Sequence, residues 1–161
     1  MSVRSRRVSM IALIIFLILC YGRFSVGSMI TATSVSTWYQ TLNKASFNPP
    51  DWIFSPIWVV LYFLMAIAGW RVWLKNKSRA GRYALVLFGI QLGLNLAWSV
   101  LFFGYQQIGF ALLEMSVLLA TVILTGLHFS RIDRLAGLLF LPYAIWLIFA
   151  LVLNTYIFVL N

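Results

Sequence analysis

The chain has 161 residues, of which 63% are apolar and only 9% charged, against roughly 45–50% apolar and 25% charged in a soluble domain. A water-soluble fold of this length cannot hide so much apolar surface, and the length suits one membrane domain over residues 1–161. The formal charge of +9 sits in short Lys/Arg clusters between apolar runs, which is the pattern of cytoplasmic loops and anionic headgroups. It is not that of a nucleic-acid-binding face, so no nucleic-acid partner is expected.

Five apolar runs follow one another at about 8–30, 54–74, 83–103, 108–129 and 135–160. Each can cross a hydrocarbon core of roughly 30 Å as a helix. None alternates polar and apolar residues as a barrel strand must. The predicted fold is therefore all-α: an integral membrane bundle of five transmembrane helices.

The first run follows Arg4, Arg6 and Arg7 and reaches Cys20, so a cleaved signal peptide is the competing reading. A retained span is preferred, because bulky Leu19 stands where a small residue should precede the cysteine and apolar character resumes beyond Arg23. Arg23 is expected to snorkel from the far end of the span. Arg4, Arg6, Arg7, Arg71, Lys75, Lys77, Arg79, Arg82, Arg131 and Arg134 fall on one side of the membrane, against Lys44 and Arg23 on the other. The N-terminus is thereby expected in the cytoplasm.

The first connection, about 31–53, is the longest. It is rich in Ser, Thr and Asn and punctuated by Trp38, Tyr39, Phe47, Pro49, Pro50 and Trp52. Its aromatics suit either an interfacial belt or a structured lid over a cavity between helices.

In the second run Pro56 sits in the first turn, and Trp58, Tyr62, Met65 and Gly69 recur at steps of four, three and four. In the third, Gly89, Gly93 and Ala97 share one face while Gln91, Asn95 and Trp98 share another. The small-residue stripe allows close helix approach, within the monomer or between two copies. In the fourth, Glu114 is the one acid inside a span, either interfacial or functional, and His128 is expected at the headgroups. In the fifth, Tyr143, Trp146, Ala150 and Asn154 lie near one line, and Pro142 should kink the helix or end a preceding turn. These rings, small gaps and amides suit either a bundle core or a narrow ligand cavity. With one cysteine and one histidine, a disulfide framework and a metal centre are not expected.

The segment from Trp38-Tyr39 through Leu42, Lys44, Phe47-Asn48-Pro49-Pro50, Trp52, Phe54 and Trp58 to Leu61-Tyr62 resembles the tryptophan-rich sensory protein/translocator protein family. So do Asn95-Leu96-Ala97-Trp98-Ser99 with Phe102-Phe103-Gly104, and Leu141-Pro142-Tyr143 with Trp146. The resemblance covers essentially residues 20–160.

It implies a five-helix bundle, often a homodimer through the third span, that binds porphyrins such as protoporphyrin IX beneath the first loop. Matching positions here are Tyr39, Trp58, Asn95, Trp98, Tyr143, Trp146 and Ala150, and the helical faces add Tyr62 and Asn154. Gly89, Gly93 and Ala97 become the expected dimer face. The sterol-recognition stretch of animal members ends in an aromatic and a basic residue, whereas 153–159 here carries no Lys or Arg. The bacterial look of the chain points to a cell-envelope membrane. No catalytic group and no required cofactor are expected, porphyrin being a ligand. The implied role is a sensor, regulator or scavenger, with a tetrapyrrole transporter and a light-dependent porphyrin-degrading enzyme as alternatives. In the last, Trp58 and Trp146 would donate electrons to the excited ring.

Overall fold

The computed structural model describes residues 3–75 and 78–161. Of the residues counted for orientation, Lys77 and the Arg4 side chain lie outside the described ones. Among the described residues every regular element is helical: α1 (Val3–Val35), the single turn α2 (Trp38–Thr41), a 3₁₀ turn (Asp51–Ile53) running into α3 (Phe54–Lys75), α4 (Arg79–Ser99) continued by a π-helical turn (Val100–Gly104), α5 (Ile108–Ile132), α6 (Arg134–Leu138) and α7 (Leu141–Leu160). Five stretches among the described residues are long and apolar enough to cross a bilayer: Arg6–Val35, Asp51–Lys75, Arg79–Gly104, Ile108–Ile132 and Arg134–Leu160. The chain is an integral membrane protein, and helices are the elements that satisfy their own backbone polar groups in hydrocarbon.

Two boundaries differ from expectation. Helix α1 continues to Val35, taking in residues read as the start of the first loop. The hydroxyls of Thr31 and Thr33 donate to the carbonyls of Gly27 and Ile30 at 2.9 and 2.8 Å, so these side chains satisfy themselves inside the helix instead of unravelling it. The fifth run is divided: Asp133 caps the short α6 through the Leu135 N–H at 3.1 Å, and Pro142 stands in the first turn of α7. There its missing N–H costs nothing, so it starts a helix where a kink was one of the two expected effects.

The interior follows from side-chain size. On α3, Tyr62, Met65, Ala66, Ala68 and Val72 are fully buried. A Cβ added at Gly69 would lie 2.8 Å from the Phe16 ring, so the bare glycine is what lets α1 close on α3. The Trp70 indole Nε1 donates to the Ser9 carbonyl at 2.9 Å and ties the same two helices further along. Phe88 stacks on Phe129 with Phe140 edge-on to both, which joins α4, α5 and the start of α7. Ile14, Ile18, Leu113, Val117, Ile145 and Ile148 point outward, as a lipid-facing surface requires.

At one end of the bundle, Arg71 Nε and Lys75 Nζ from α3 reach the buried Asp133 carboxylate at 2.7 and 3.1 Å. Burial alone would push this carboxyl up, but the bonds from Arg71, Lys75 and the Leu135 N–H outweigh it and hold Asp133 below the ordinary carboxylate range.

A candidate ligand cavity beneath the first loop

Between α1, α3, α4 and α7, under the connection from α1 to α3, lies a cavity of about 320 Å³, within the roughly 300–1,000 Å³ of small-molecule sites. Its walls are chiefly aromatic. Trp58 stacks on Tyr62 with ring centroids 5.5 Å apart, Trp98 stacks on Phe102 at 5.1 Å, and Trp146 meets Phe54 edge-on at 5.7 Å.

Polar contacts are few and mostly committed to fixing the walls. Tyr62 Oη donates to Asn95 Oδ1 at 2.8 Å, and Asn95 Nδ2 donates to Tyr143 Oη at 2.6 Å, so one amide locks α3, α4 and α7 together. Trp98 Nε1 donates to Asn154 Oδ1 at 3.1 Å, while Asn154 Nδ2 reaches the Ile108 carbonyl at 3.3 Å. The Trp146 indole Nε1 is different: it is shielded from solvent and has no hydrogen-bond partner. A buried donor without a partner is an unmet cost in the wall itself.

The first loop is a roof. Tyr39 is buried beneath it, with Oη donating to Asn48 Oδ1 at 3.4 Å and Lys44 Nζ 4.5 Å from the ring centroid. Burial pushes the Tyr39 hydroxyl above its ordinary pKa. Gln40 Nε2 donates to Asp51 Oδ2 at 2.6 Å and so closes the loop on itself. Asn43 and Asn161 exchange hydrogen bonds at 3.0 Å, and Phe47 packs edge-on against Tyr156, which fastens the roof to the end of α7. Trp52 is 73% exposed. The segment is therefore both a lid and, at Trp52, an outward-facing aromatic surface.

Of the residues expected to bind ligand, Tyr39, Trp58, Asn95, Trp98, Trp146, Ala150 and Asn154 all line the cavity. Tyr62 and Tyr143 do not. Both are completely buried behind that wall, where they hold Asn95 and back Trp58, so they act as supports rather than as contacts. Gly89 and Gly93 are exposed on the outer face of α4 with no neighbouring group within 4 Å. That face is unoccupied in the monomer, and Ala97 is half-buried beside it.

Sequence reasoning missed the wall built by α1. Arg23, Gly27, Thr31 and Val35 all line the cavity at steps of four, a helical stripe visible in the sequence once α1 is extended past residue 30. Arg23 does not snorkel outward. Its guanidinium turns inward to the Asn95 carbonyl and to Ser99 Oγ at 3.2 Å, and stands 5.4 Å from the Tyr62 ring centroid. Glu114 likewise is no simple interfacial group, since both carboxylate oxygens are shielded and without hydrogen-bond partners. His128 lies outside the bundle core, its Nδ1 on the Leu124 carbonyl at 2.8 Å.

A membrane bundle with a roofed, indole-lined chamber is the class of protein this geometry defines. Residues 12–160 match the TspO/MBR family model, and the chain belongs to that family. It is 42% identical over 147 residues to the tryptophan-rich protein TspO of Chlorobaculum tepidum, covering 89% of this chain and 91% of that one. Against the tryptophan-rich sensory protein of Cereibacter sphaeroides the identity is 36% over 139 residues, covering 86% and 84% of the two chains. The human translocator protein is 35% identical over 132 residues, covering 80% of this chain and 78% of its own.

Proposed function

We propose that this protein binds porphyrins of the protoporphyrin IX type in the cavity beneath the first loop, and acts as a sensor, regulator or scavenger of such tetrapyrroles. The observation that carries this reading is the set of three indoles, Trp58, Trp98 and Trp146, on the walls of one largely apolar chamber. Broad flat aromatic walls suit a flat, largely apolar ring system, which gains both area burial and ring stacking there. The family resemblance supports a homodimer through the open Gly89, Gly93 and Ala97 face and a bacterial envelope membrane, and the placing of the basic residues supports an N-terminus in the cytoplasm.

A second reading, light-dependent degradation of the bound porphyrin, draws on Trp58 and Trp146 lining the same cavity. Either indole could pass one electron to a photoexcited ring, the ligand supplying the rest of the chemistry. Purified protein mixed with protoporphyrin IX and followed by absorbance in dark and light separates the readings. A shifted, saturable spectrum that is stable in light supports binding alone, new product bands that need both protein and light support degradation, and no spectral change refutes both.

A further inference from the structure

Among the described residues, one cation, Arg23, lines the cavity, and no acid is hydrogen-bonded to it. Arg23 stands twelve residues before the end of α1 at Val35, about 18 Å along the helix axis. Its Nη2 is engaged by the Asn95 carbonyl and Ser99 Oγ. Its Nε is shielded and bonds to nothing, and none of the hydrogen bonds of the described residues uses Nη1. Nη1 lies against Gly27, where a Cβ would come within 2.9 Å of it, so the bare glycine gives the guanidinium its place on the cavity wall. Glu114 is within electrostatic reach, yet the ion pairs within 4 Å among the described residues are those of Asp133 with Arg71 and Lys75. Asp51 also lines the chamber, but at the roof, where Gln40 holds it.

A guanidinium in a membrane interior with no acid bonded to it carries a large desolvation cost, which an anion seated against it would offset. An acid at the mouth and a cation deep inside give the chamber a direction. An amphipathic ligand would enter with its carboxylate leading, repelled at the roof and held below. We propose that Arg23 is a carboxylate anchor, and that the site selects flat apolar ligands bearing an acid group over their neutral analogues. This rests on the porphyrin-binding reading and names what that site discriminates.

The test compares protoporphyrin IX with its dimethyl ester, which keeps the ring and removes both negative charges. Binding is read by quenching of tryptophan fluorescence in detergent micelles of the full chain. The parent should bind the free acid about tenfold or more tightly than the ester, as a charge-assisted hydrogen bond implies. Arg23→Gln should bring the acid down to the ester's affinity and leave the ester unchanged, and Arg23→Lys, which keeps the charge, should retain part of the preference. Should Arg23→Gln fail to fold, the acid-to-ester ratio in the parent and in Arg23→Lys still decides the matter. Equal affinity of acid and ester in the parent overturns the anchor while the porphyrin site stands. Parallel loss of both ligands in Arg23→Gln makes the arginine a structural group and also overturns the anchor. Failure of the parent to bind either compound refutes the porphyrin reading and the anchor with it.

Discussion

Trp98 and Asn154 meet across the cavity wall, the indole Nε1 donating to the amide Oδ1 at 3.1 Å while the amide Nδ2 is held by the Ile108 carbonyl. The pair joins α4 to α7, and Asn154 carries the link on to the start of α5. Replacing Asn154 by Leu leaves the Trp98 N–H in an apolar wall without an acceptor, which should cost about 1–3 kcal/mol. Thermal unfolding in detergent should show the lower midpoint, and Trp98→Phe on the Asn154→Leu background should recover part of it by removing the orphaned donor.

Trp146 lines the cavity, and its indole N–H is buried without a partner. Trp146→Leu should weaken porphyrin binding by roughly 1–3 kcal/mol, the range of buried aromatic anchors. Trp70→Leu, which cuts the bond to Ser9 outside the cavity, should lower stability and leave affinity alone. Fluorescence quenching corrected for the lost tryptophan measures both. Equal affinity of a folded Trp146→Leu protein would make that ring packing only. Under light, replacing Trp58 and Trp146 together by Phe should keep much of the binding and abolish protein-dependent porphyrin loss if the indoles are electron donors.

Asp133 is held ionised by Arg71 and Lys75 from the end of α3. Its carboxyl titrates below the ordinary value of about 4, so it binds a proton less readily folded than unfolded. Its contribution is complete above the unfolded pKa and is lost as pH falls through the lower folded value. Unfolding midpoints should therefore drop below about pH 4, and Asp133→Asn should lower stability at neutral pH while flattening that acid limb. An unchanged acid limb in the variant would assign the pH dependence to other groups.

The open face at Gly89 and Gly93 sets the dimer prediction. With no group within 4 Å of either position, Gly93→Leu should leave the monomer fold intact and block close approach of a second copy. Crosslinking in detergent and in lipid should show the dimer band fall. An unchanged yield places the contact elsewhere.

Orientation can be read by cysteine labelling on a Cys20→Ala background, since Cys20 itself is fully buried. A cysteine at position 46, in the roof, should react with an impermeant maleimide added outside the cell, and one at position 78 should react only after the membrane is opened. The reverse pattern would invert the topology and leave the helices as they are.

The five spans were legible because hydrocarbon thickness imposes an unbroken apolar length that composition records directly. Most of the cavity wall was legible as well, since Trp58, Asn95, Trp98, Trp146, Ala150 and Asn154 fall on inward helical lines. Angle along a helix does not report depth, however. Tyr62 and Tyr143 share those lines, yet they are covered by their neighbours, and only the packing of three helices decides which ring is in front. The α1 wall was illegible for a different reason. Thr31 and Val35 fall in the stretch read as the first loop, and an arginine in a span invites the reading of a stem reaching for headgroups. Which way it turns depends on acceptors, the Asn95 carbonyl and Ser99 Oγ, some seventy residues further along the chain.

The fastening of the roof to Asn161, just past the end of α7, has a kinetic consequence. Asn43 and Asn161 hold each other but do not border the chamber, so loosening them changes the barrier to passage and not the contacts a bound molecule makes. Asn161→Ala, which removes the side-chain amide that makes both bonds, should therefore speed entry and escape together and leave the equilibrium constant nearly fixed. How long a guest stays is in this design adjustable apart from how tightly it is held, through a latch that never touches it.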